Sequence, residues 1–216
     1  MPNRISKLLR LLSEPRMVRT LASLRFNGFL AQRGWFESVR RGEPVDLLGE
    51  PLPWLTYPLI MFLEKRLTTR LDMFEFGAGN STLYFASRVR SVTSVEHSAE
   101  WFRKLQRKVP SNVNLTPQEL VAGGYYSRFA LHTGKTYDIL IVDGKDRVNC
   151  MSNSLAALKP EGVLILDDAE RSEYSEGITF LQERGFRKLE FWGVAPGMLE
   201  GKCTAIFYRT ANCLGI

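Results

Sequence analysis

This sequence has few cysteines and no long apolar run. Its three cysteines, Cys150, Cys203 and Cys213, are far apart and form no C-x-x-C pair, which predicts free thiols in a reducing compartment. No uninterrupted apolar run reaches the roughly 18 residues of a membrane-spanning helix. The N-terminus also lacks the apolar centre of a secretory signal. A cytoplasmic location is therefore expected.

Acidic residues are scarce near the N-terminus, where the basic residues are concentrated. Residues 1–41 hold nine arginines and lysines against two acids, a net charge of +7, whereas the whole 216-residue chain carries +6. The remainder of the chain is therefore almost neutral. This distribution argues against a nucleic-acid groove running across the protein, so nucleic acid is not an expected partner.

The basic segment has the apolar spacing of amphipathic helices. Helices are predicted within residues 4–12 and 17–32, and the four prolines of residues 42–58 indicate a linker. We therefore divide the chain into a basic helical extension with its linker, residues 1–58, and a main domain, residues 59–216. The extension could pack on the domain or on a second subunit in a homo-oligomer. It could also contact a membrane surface with anionic lipid, or an acidic protein.

From residue 71 onward, apolar runs of strand length alternate with helical patterns. The runs are continuously apolar, as in parallel strands covered on both faces. Seven strands are predicted, and the glycine-containing segment 194–202 suits a hairpin better than a helical crossover. The expected fold is an α/β domain with a seven-stranded, mostly parallel sheet. Helices cover both faces of this sheet, and its last strand is antiparallel.

Acids stand at the ends of four of the predicted strands. They are Glu75, Glu96, Asp143 and the pair Asp167-Asp168. In open α/β sheets, ligands bind outside the carboxyl ends of the strands. The sequence therefore predicts a ligand site at this edge of the sheet.

The first strand runs into a glycine-rich turn, Gly77-Ala78-Gly79-Asn80-Ser81, which is followed by a helical pattern. Such a turn presents backbone N–H groups to a ligand. Glu96 follows Gly79 by 17 residues, one helix and one strand. That spacing places its carboxylate at the neighbouring strand tip, where it can accept both hydroxyls of a ribose. Both NAD and S-adenosylmethionine satisfy these requirements.

Three features of the turn favour S-adenosylmethionine. A dinucleotide site needs a small residue where Thr82 stands. Glu75 would repel a pyrophosphate and attract an ammonium or a sulfonium. Finally, Glu75, Gly77, Gly79 and Ser81 form the pattern E-x-G-x-G-x-S.

The chain resembles the class I S-adenosylmethionine-dependent methyltransferases over residues 71–209. The resemblance rests on the glycine turn, on Glu96, and on the strings YDILIVDG (137–144) and LKPEGVLILDD (158–168), in that order and spacing. It implies that residues 75–81, including Asn80, hold the methionine portion of the cofactor. Glu96 would hold the ribose, with His97 as a further candidate contact, and Asp143 would lie near the sulfonium or the acceptor. Gln118 and Glu119 are the candidates for the adenine contact.

The end of the site opposite the glycine turn resembles the catechol O-methyltransferase group in VDGKDR (142–147) and LDD (166–168). This resemblance implies that Asp143, Asp167 and Asp168 bind Mg²⁺ and that Lys145 acts as the base. A metal-free alternative remains open. In it, Asp143 or Asp168 is the general base, and Lys145 or Arg147 orients an anionic acceptor.

No N-P-P-Y or D-P-P-Y string follows the fourth predicted strand. That string marks many amino-group methyltransferases that act on nucleic-acid bases. Its absence favours a hydroxyl acceptor on a small molecule or a saccharide. The expected function is therefore S-adenosylmethionine-dependent O-methyl transfer. The alternatives are a binding protein that kept the fold without transfer activity, and an NAD-dependent oxidoreductase.

Overall fold

A computed structural model of the chain describes residues 13–216, so the amphipathic helix predicted within residues 4–12 lies outside the described residues. The described α-helices are α1 (Pro15–Phe26), α2 (Phe29–Gln32), α3 (Trp35–Arg41), α4 (Tyr57–Glu64), α5 (Asn80–Ala86), α6 (Ala99–Leu105), α7 (Tyr125–His132), α8 (Arg147–Ser154) and α9 (Ser175–Glu183). The strands are β1 (Asp72–Phe76), β2 (Ser91–Glu96), β3 (Val113–Pro117), β4 (Tyr137–Val142), β5 (Leu158–Leu166), β6 (Arg187–Gly193) and β7 (Lys202–Tyr208).

The seven strands form one sheet in the order β3-β2-β1-β4-β5-β7-β6. The pairs among β1 to β5 are parallel, whereas β7 runs antiparallel to both β5 and β6. The predicted seven-stranded sheet with an antiparallel last strand is confirmed. The strand order reverses between β1 and β4, and a reversal of this kind opens a crevice for a ligand at the carboxyl ends of the strands.

The two faces of the sheet bury separate hydrophobic clusters because successive side chains of a strand point to opposite sides. Phe74 and Phe76 of β1 pack in one cluster with α7, α8 and α9, whereas Met73 packs in the other with α4 and α5. Glu75 alternates with the two phenylalanines and therefore lies on the Met73 side, where it is fully buried. Glu75 is thus a fully buried acid in a strand whose other buried residues are apolar.

The segment before the sheet contributes to the same core. Trp35, Leu52, Leu55 and Tyr57 belong to the hydrophobic cluster that also contains residues of α4 and of the sheet. Backbone hydrogen bonds reinforce this packing, since the Tyr57 N–H donates to the carbonyl of Val194 at 3.0 Å. The predicted division at residue 58 therefore runs through one shared hydrophobic core.

Two helical features differ from the sequence prediction. The helix expected over residues 17–32 is interrupted at Asn27-Gly28 and forms the two helices α1 and α2. Residues 118–136 lack a clear periodic pattern, so no helix is predicted there from the sequence. The structure nevertheless forms α7 in this stretch, with Tyr126 and Ala130 fully buried at helical spacing. Only two positions of this short helix are deeply apolar, which is too few for a clear periodic signal.

The three cysteines, all in the described part, carry free thiols, and Cys150 and Cys203 are buried. Within residues 13–216 no helix is both long enough and apolar enough to cross a membrane.

Candidate functional site

The glycine turn after β1 has a backbone conformation that requires glycine at Gly77. Gly77 has a φ of +88°, and a Cβ at this position would lie 2.9 Å from the Cα of Gly144. Gly77 is therefore required both by its conformation and by the close approach of two loops. At Gly79, a Cβ would come no closer than 3.7 Å, to the Trp101 Nε1. Packing among the described residues does not require glycine there, but Gly79 lines a cavity.

Glu75 lies beneath this turn and is fully buried. Its Oε2 accepts hydrogen bonds from the Thr82 hydroxyl at 2.6 Å and from the Ser94 hydroxyl at 3.1 Å. Its Oε1 is buried and has no hydrogen-bond partner among the described residues. Burial raises the pKa of Glu75 to about 7, against the opposing hydrogen bonds of Thr82 and Ser94. An unpaired buried carboxylate oxygen of this kind is stabilised when a cation binds nearby.

Thr82 joins Glu75 to the turn, a role that sequence reasoning missed. Its hydroxyl accepts a hydrogen bond from the Gly79 N–H at 3.0 Å and donates one to Glu75. In the sequence, Thr82 stands out only as a residue too large for a dinucleotide turn. Its position three residues into the glycine-capped helix α5 was the available signal, because a side chain there can bond back to the cap residue.

Glu96 ends β2 and holds the two loops on either side of it. Its Oε2 accepts a hydrogen bond from the Ala78 N–H at 2.8 Å, and its Oε1 accepts one from the Ser98 N–H at 2.7 Å. The carboxylate is 4% exposed and lines the same cavity as the turn. Each carboxylate oxygen has a further lone pair that can accept a ligand hydroxyl. His97 also lines the cavity, and its Nδ1 lies 3.0 Å from the Glu96 Oε1 without hydrogen-bonding geometry.

Trp101 of α6 is a second residue that sequence reasoning missed. Its indole N–H donates a hydrogen bond to the carbonyl of Ala78, so Glu96 and Trp101 hold the two peptide groups on either side of the Ala78 Cα. The Lys104 ammonium lies 4.7 Å from the Trp101 ring centroid, and both residues line the cavity. The aromatic ring supplies a flat apolar surface beside an otherwise polar turn.

The cavity at this edge of the sheet has a volume of about 650 Å³, which is within the usual range for small-molecule sites. Residues predicted for cofactor binding and catalysis converge on it, apart from Glu75, which lies below its wall. The predicted residues that line it are Gly77, Gly79, Asn80, Ser81, Glu96, His97, Asp143, Lys145, Asp167 and Asp168. The adenine candidates Gln118 and Glu119 are not among the lining residues.

The predicted linker covers one side of this cavity, where Gly42, Glu43, Pro44 and Trp54 contribute to the lining. The Asn80 side-chain amide donates to the carbonyl of Pro44 at 2.8 Å, which ties the linker to the glycine turn. The Trp54 indole N–H donates to the carbonyl of Pro196 at 2.9 Å. The linker is thus held at both ends as part of the cavity wall.

Asp143 follows β4 and lies on the cavity wall, where its side chain is 21% exposed. Burial raises the pKa of the Asp143 carboxyl, although the charges of Arg147 and Lys202 oppose this shift. Its Oδ1 lies 3.2 Å from the Arg147 guanidinium. A carboxylate with a raised pKa that faces a cavity is a candidate general base.

Arg147 is buried, and its guanidinium N–H groups form hydrogen bonds within the protein. Its guanidinium donates to the carbonyl of Gly144 at 3.0 Å and to the carboxylates of Asp143 and Asp168 at 3.2 and 3.3 Å. Because its N–H groups serve these contacts, Arg147 positions the strand-end loops. It is poorly placed to orient an acceptor, which was one of the roles considered for it.

Asp167 and Asp168 are held by cations and hydroxyls rather than left open for a metal. Asp167 accepts hydrogen bonds from the buried Lys202 ammonium and, at 2.7 Å, from the Thr204 hydroxyl. Asp168 lies 2.7 Å from Lys202 and 2.8 Å from Arg171. Within residues 13–216, no group of three or more His, Cys, Asp or Glu side chains could hold a metal ion.

The Mg²⁺ site predicted at Asp143, Asp167 and Asp168 is therefore not supported, because arginine and lysine side chains already neutralise these carboxylates. Burial opposes ionisation of Asp168, but Lys202, Arg147 and Arg171 outweigh it and lower its pKa. Burial and the charge of Asp143 raise the pKa of Asp167. Asp168 is accordingly a poorer base than Asp143.

Lys145 is exposed on the cavity wall, and its ammonium pairs with no carboxylate in the described structure. A second cavity of about 330 Å³ adjoins the first, and Gly144, Lys145, Arg147 and Arg171 line both. Polar side chains dominate the smaller cavity. They are Lys145, Asp146, Arg147, Arg171, Glu173 and Tyr174.

No family model and no curated protein matches the chain. Among similar solved structures are a precorrin-6y C5,15-methyltransferase from Geobacter metallireducens GS-15 and a Streptococcus mutans protein in complex with SAH. The first is 16% identical over 71% of this chain and 87% of that chain, with a TM-score of 0.54. The second is 13% identical over 71% of this chain and 99% of that chain, with a TM-score of 0.52.

A precorrin 8w decarboxylase from Methanobacterium thermoautotrophicum is also similar, at 24% identity over 70% of this chain and 87% of that chain, with a TM-score of 0.50. The narrower resemblance to the catechol O-methyltransferase group finds no support in these neighbours. At identities of 24% or less, these likenesses show the fold alone. The chain has the seven-stranded, Rossmann-like fold of the class I methyltransferases.

Proposed function

We propose that this protein transfers a methyl group from S-adenosylmethionine to a hydroxyl of a small molecule or a saccharide. The observation that carries this proposal is one continuous cavity. The glycine turn and Glu96 lie on its wall together with the strand-end carboxylate of Asp143. A cofactor-binding turn and a candidate base therefore face the same space.

The turn fits a ligand that carries positive charge. Glu75 places a buried carboxylate with one unpaired oxygen directly below it, which suits an ammonium or a sulfonium and disfavours a pyrophosphate. Gly79 lines the cavity and has no side chain, so a ligand can approach its backbone closely. These features favour S-adenosylmethionine over NAD.

Glu96 is placed to accept hydrogen bonds from the ribose hydroxyls. It lies at the tip of β2, beside the turn, and its lone pairs are only partly used by Ala78 and Ser98. Trp101, hydrogen-bonded to the Ala78 carbonyl of the turn, supplies aromatic surface for the base. The cavity wall thus offers complementary groups to the ammonium, the ribose and the base of one nucleoside ligand.

On the acceptor side, Asp143 takes the hydroxyl proton and Lys145 orients the acceptor. The bound cofactor supplies a methyl group that is already activated by the sulfonium. The chain therefore has to align the acceptor and receive one proton, and alignment alone can account for much of the acceleration. The polar side chains of the second cavity suit a polyhydroxylated acceptor such as a saccharide.

Titration calorimetry with S-adenosylmethionine, S-adenosylhomocysteine and NAD tests the cofactor assignment. Binding of the first two without NAD is expected, and tight binding of NAD alone would overturn it. In the same assay Glu96→Gln should weaken S-adenosylmethionine at least tenfold, about 1.4 kcal/mol. Glu119→Gln, outside the cavity lining, is the matched control.

Transfer is tested with methyl-labelled S-adenosylmethionine and a panel of hydroxylated small molecules and saccharides. Asp143→Asn should lower kcat about 100-fold or more while cofactor affinity stays within a few fold. Lys145→Met should mainly raise KM for the acceptor. Cofactor binding with no transfer to any acceptor would favour the binding-protein alternative.

A further inference from the structure

Helix α1 has no buried residue and is joined to the rest of the protein at its C-terminal end. Met17, Val18, Leu21 and Leu24 share one side of this helix at helical spacing, and each is between 37% and 44% exposed. Phe26, at its end, is 73% exposed. The chain therefore displays an apolar helix face to solvent, which a folded protein normally covers.

A helix of this length needs external support. Its 12 residues are at or below the length at which an isolated helix is even marginally stable in water. Since no side chain of α1 is buried, packing among residues 13–216 does not supply that support. A surface that covers the apolar face would stabilise the helix as well as bind it.

The charges of α1 indicate the kind of surface. Arg16, Arg19 and Arg25 are its charged residues, and none of them pairs with a carboxylate in the described part of the chain. Arg25 lies instead over the Phe36 ring, at 4.9 Å. Just upstream, residues 4–12 add three more basic residues and no acid. Glu14 is the lone acid before residue 37.

We infer that α1 is an interfacial helix that binds the surface of a membrane containing anionic lipid. Its aliphatic face would enter the boundary between headgroups and acyl chains, and its arginines would meet the negative headgroups. A second copy of the chain is less suited to cover this apolar face, because pairing two α1 helices brings like charges together. An acidic protein with a groove for the helix would instead leave the chain without affinity for vesicles, which the test below detects.

Vesicle co-sedimentation of the full chain tests this inference. The probes are phosphatidylcholine vesicles with and without 30 mol% phosphatidylglycerol, at about 0.1 M salt, where surface charges still interact over roughly 10 Å. Binding is expected to the anionic vesicles and not to the neutral ones. The triple variant Arg16→Gln/Arg19→Gln/Arg25→Gln should weaken that binding about 100-fold, because each arginine near an anionic surface contributes a factor of about five.

A charge-matched control separates the helix from the net charge of the protein. Arg103, Arg107 and Lys108 are exposed basic residues near α6 that do not line the cavity. Changing all three to glutamine removes the same three charges and should leave vesicle binding within about twofold. An equal loss in both triple variants would overturn the role of α1.

The apolar contribution is tested by Leu21→Gln/Leu24→Gln. Because neither leucine is buried, the melting temperature in solution should stay unchanged, while vesicle binding should fall at least about tenfold. Helical circular dichroism should increase when anionic vesicles are added to the wild type. Full binding by this variant, no binding by the wild type, or sedimentation showing a dimer without vesicle binding would each overturn the inference. Cofactor binding is unaffected in either outcome, so the proposed function is tested separately.

Discussion

Thr82 donates a 2.6 Å hydrogen bond to the buried Glu75 and accepts one from the backbone of Gly79, which makes it the connection between the buried acid and the glycine turn. Hydrogen bonds of the Thr82 hydroxyl therefore fix the turn to the buried Glu75 below it. Gly77, at the start of the turn, packs closely against the loop that contains Gly144. A substitution of Thr82 should therefore lower cofactor affinity, although Thr82 itself does not line the cavity.

Replacing Thr82 with valine keeps the shape and removes the hydroxyl. The Gly79 N–H and the Glu75 carboxylate each lose a partner, so cofactor affinity should fall about tenfold, and stability should fall by about 1–3 kcal/mol. Calorimetry and urea denaturation measure the two effects. Thr93→Val, at a buried threonine of β2 whose hydroxyl bonds neither Glu75 nor the turn in the described structure, should leave affinity unchanged. Equal losses in both variants would contradict the specific role of Thr82.

Much of this site was predictable because local sequence patterns encode it. Apolar runs that end in acids identified Glu75, Glu96, Asp143 and the Asp167-Asp168 pair as strand-end residues. Because these strands are parallel, their carboxyl ends lie at the same edge of the sheet. The glycine turn was recognisable from its spacing alone. The number of strands and the antiparallel β7 followed from run lengths and from the glycine-containing connection.

The pairing of Lys202 with the strand-end carboxylates was not predictable, because these residues are distant in sequence. Lys202 donates to the carbonyl of Trp54, 148 residues away, and also pairs with Asp167 and Asp168. A single lysine at the end of the predicted connection, which is the first residue of β7 in the structure, carries no periodic signal. The metal hypothesis lacks support for the same reason, since the sequence shows the carboxylates without revealing the cations that neutralise them.

The raised pKa of Glu75 makes cofactor binding sensitive to pH. Its carboxyl has a pKa of about 7 instead of 4.5 because of burial, so it is ionised mainly above pH 7. A cationic ligand favours the ionised form, so affinity for S-adenosylmethionine should rise between pH 6 and pH 8, with proton release on binding near pH 6. Calorimetry in buffers of different ionisation enthalpy measures both. Glu75→Gln should flatten the profile, and an unchanged slope would show that another group titrates.

The same shift predicts how stability depends on pH. Between pH 4.5 and about 7 the folded state keeps a proton on Glu75 that the unfolded chain has lost. The free energy of unfolding contributed by this group therefore falls as pH rises through that window. Relative to the wild type, Glu75→Gln should become progressively more stable from pH 5 to pH 8. Urea denaturation at both pH values measures the difference, and a difference that does not change with pH would contradict the assignment.

Removal of divalent metal should have no effect. The oxygens of Asp167 and Asp168 are occupied by lysine, arginine and threonine side chains, so Mg²⁺ would have to displace these partners to bind. EDTA should leave the melting temperature, cofactor affinity and methyl transfer unchanged. Thermal scans and calorimetry with EDTA, and then with added Mg²⁺, check this. A rise in melting temperature on adding Mg²⁺ that EDTA reverses would restore the metal hypothesis.

Lys202 should be among the most stabilising charged residues of the protein. It is 6% exposed and pairs with both Asp167 and Asp168, so Lys202→Met leaves two buried carboxylates with less compensation. Breaking a buried pair in this way costs about 3–5 kcal/mol, and in a chain of this size it should lower the melting temperature by about 10 °C. Lys188→Met, which breaks a surface pair with Glu190 on β6, should cost no more than about 1 kcal/mol. Because the cost comes from unpaired charge, Lys202→Met/Asp167→Asn should recover part of the loss. A double variant less stable than Lys202→Met would show instead that the lysine acts mainly through its bond to the Trp54 carbonyl.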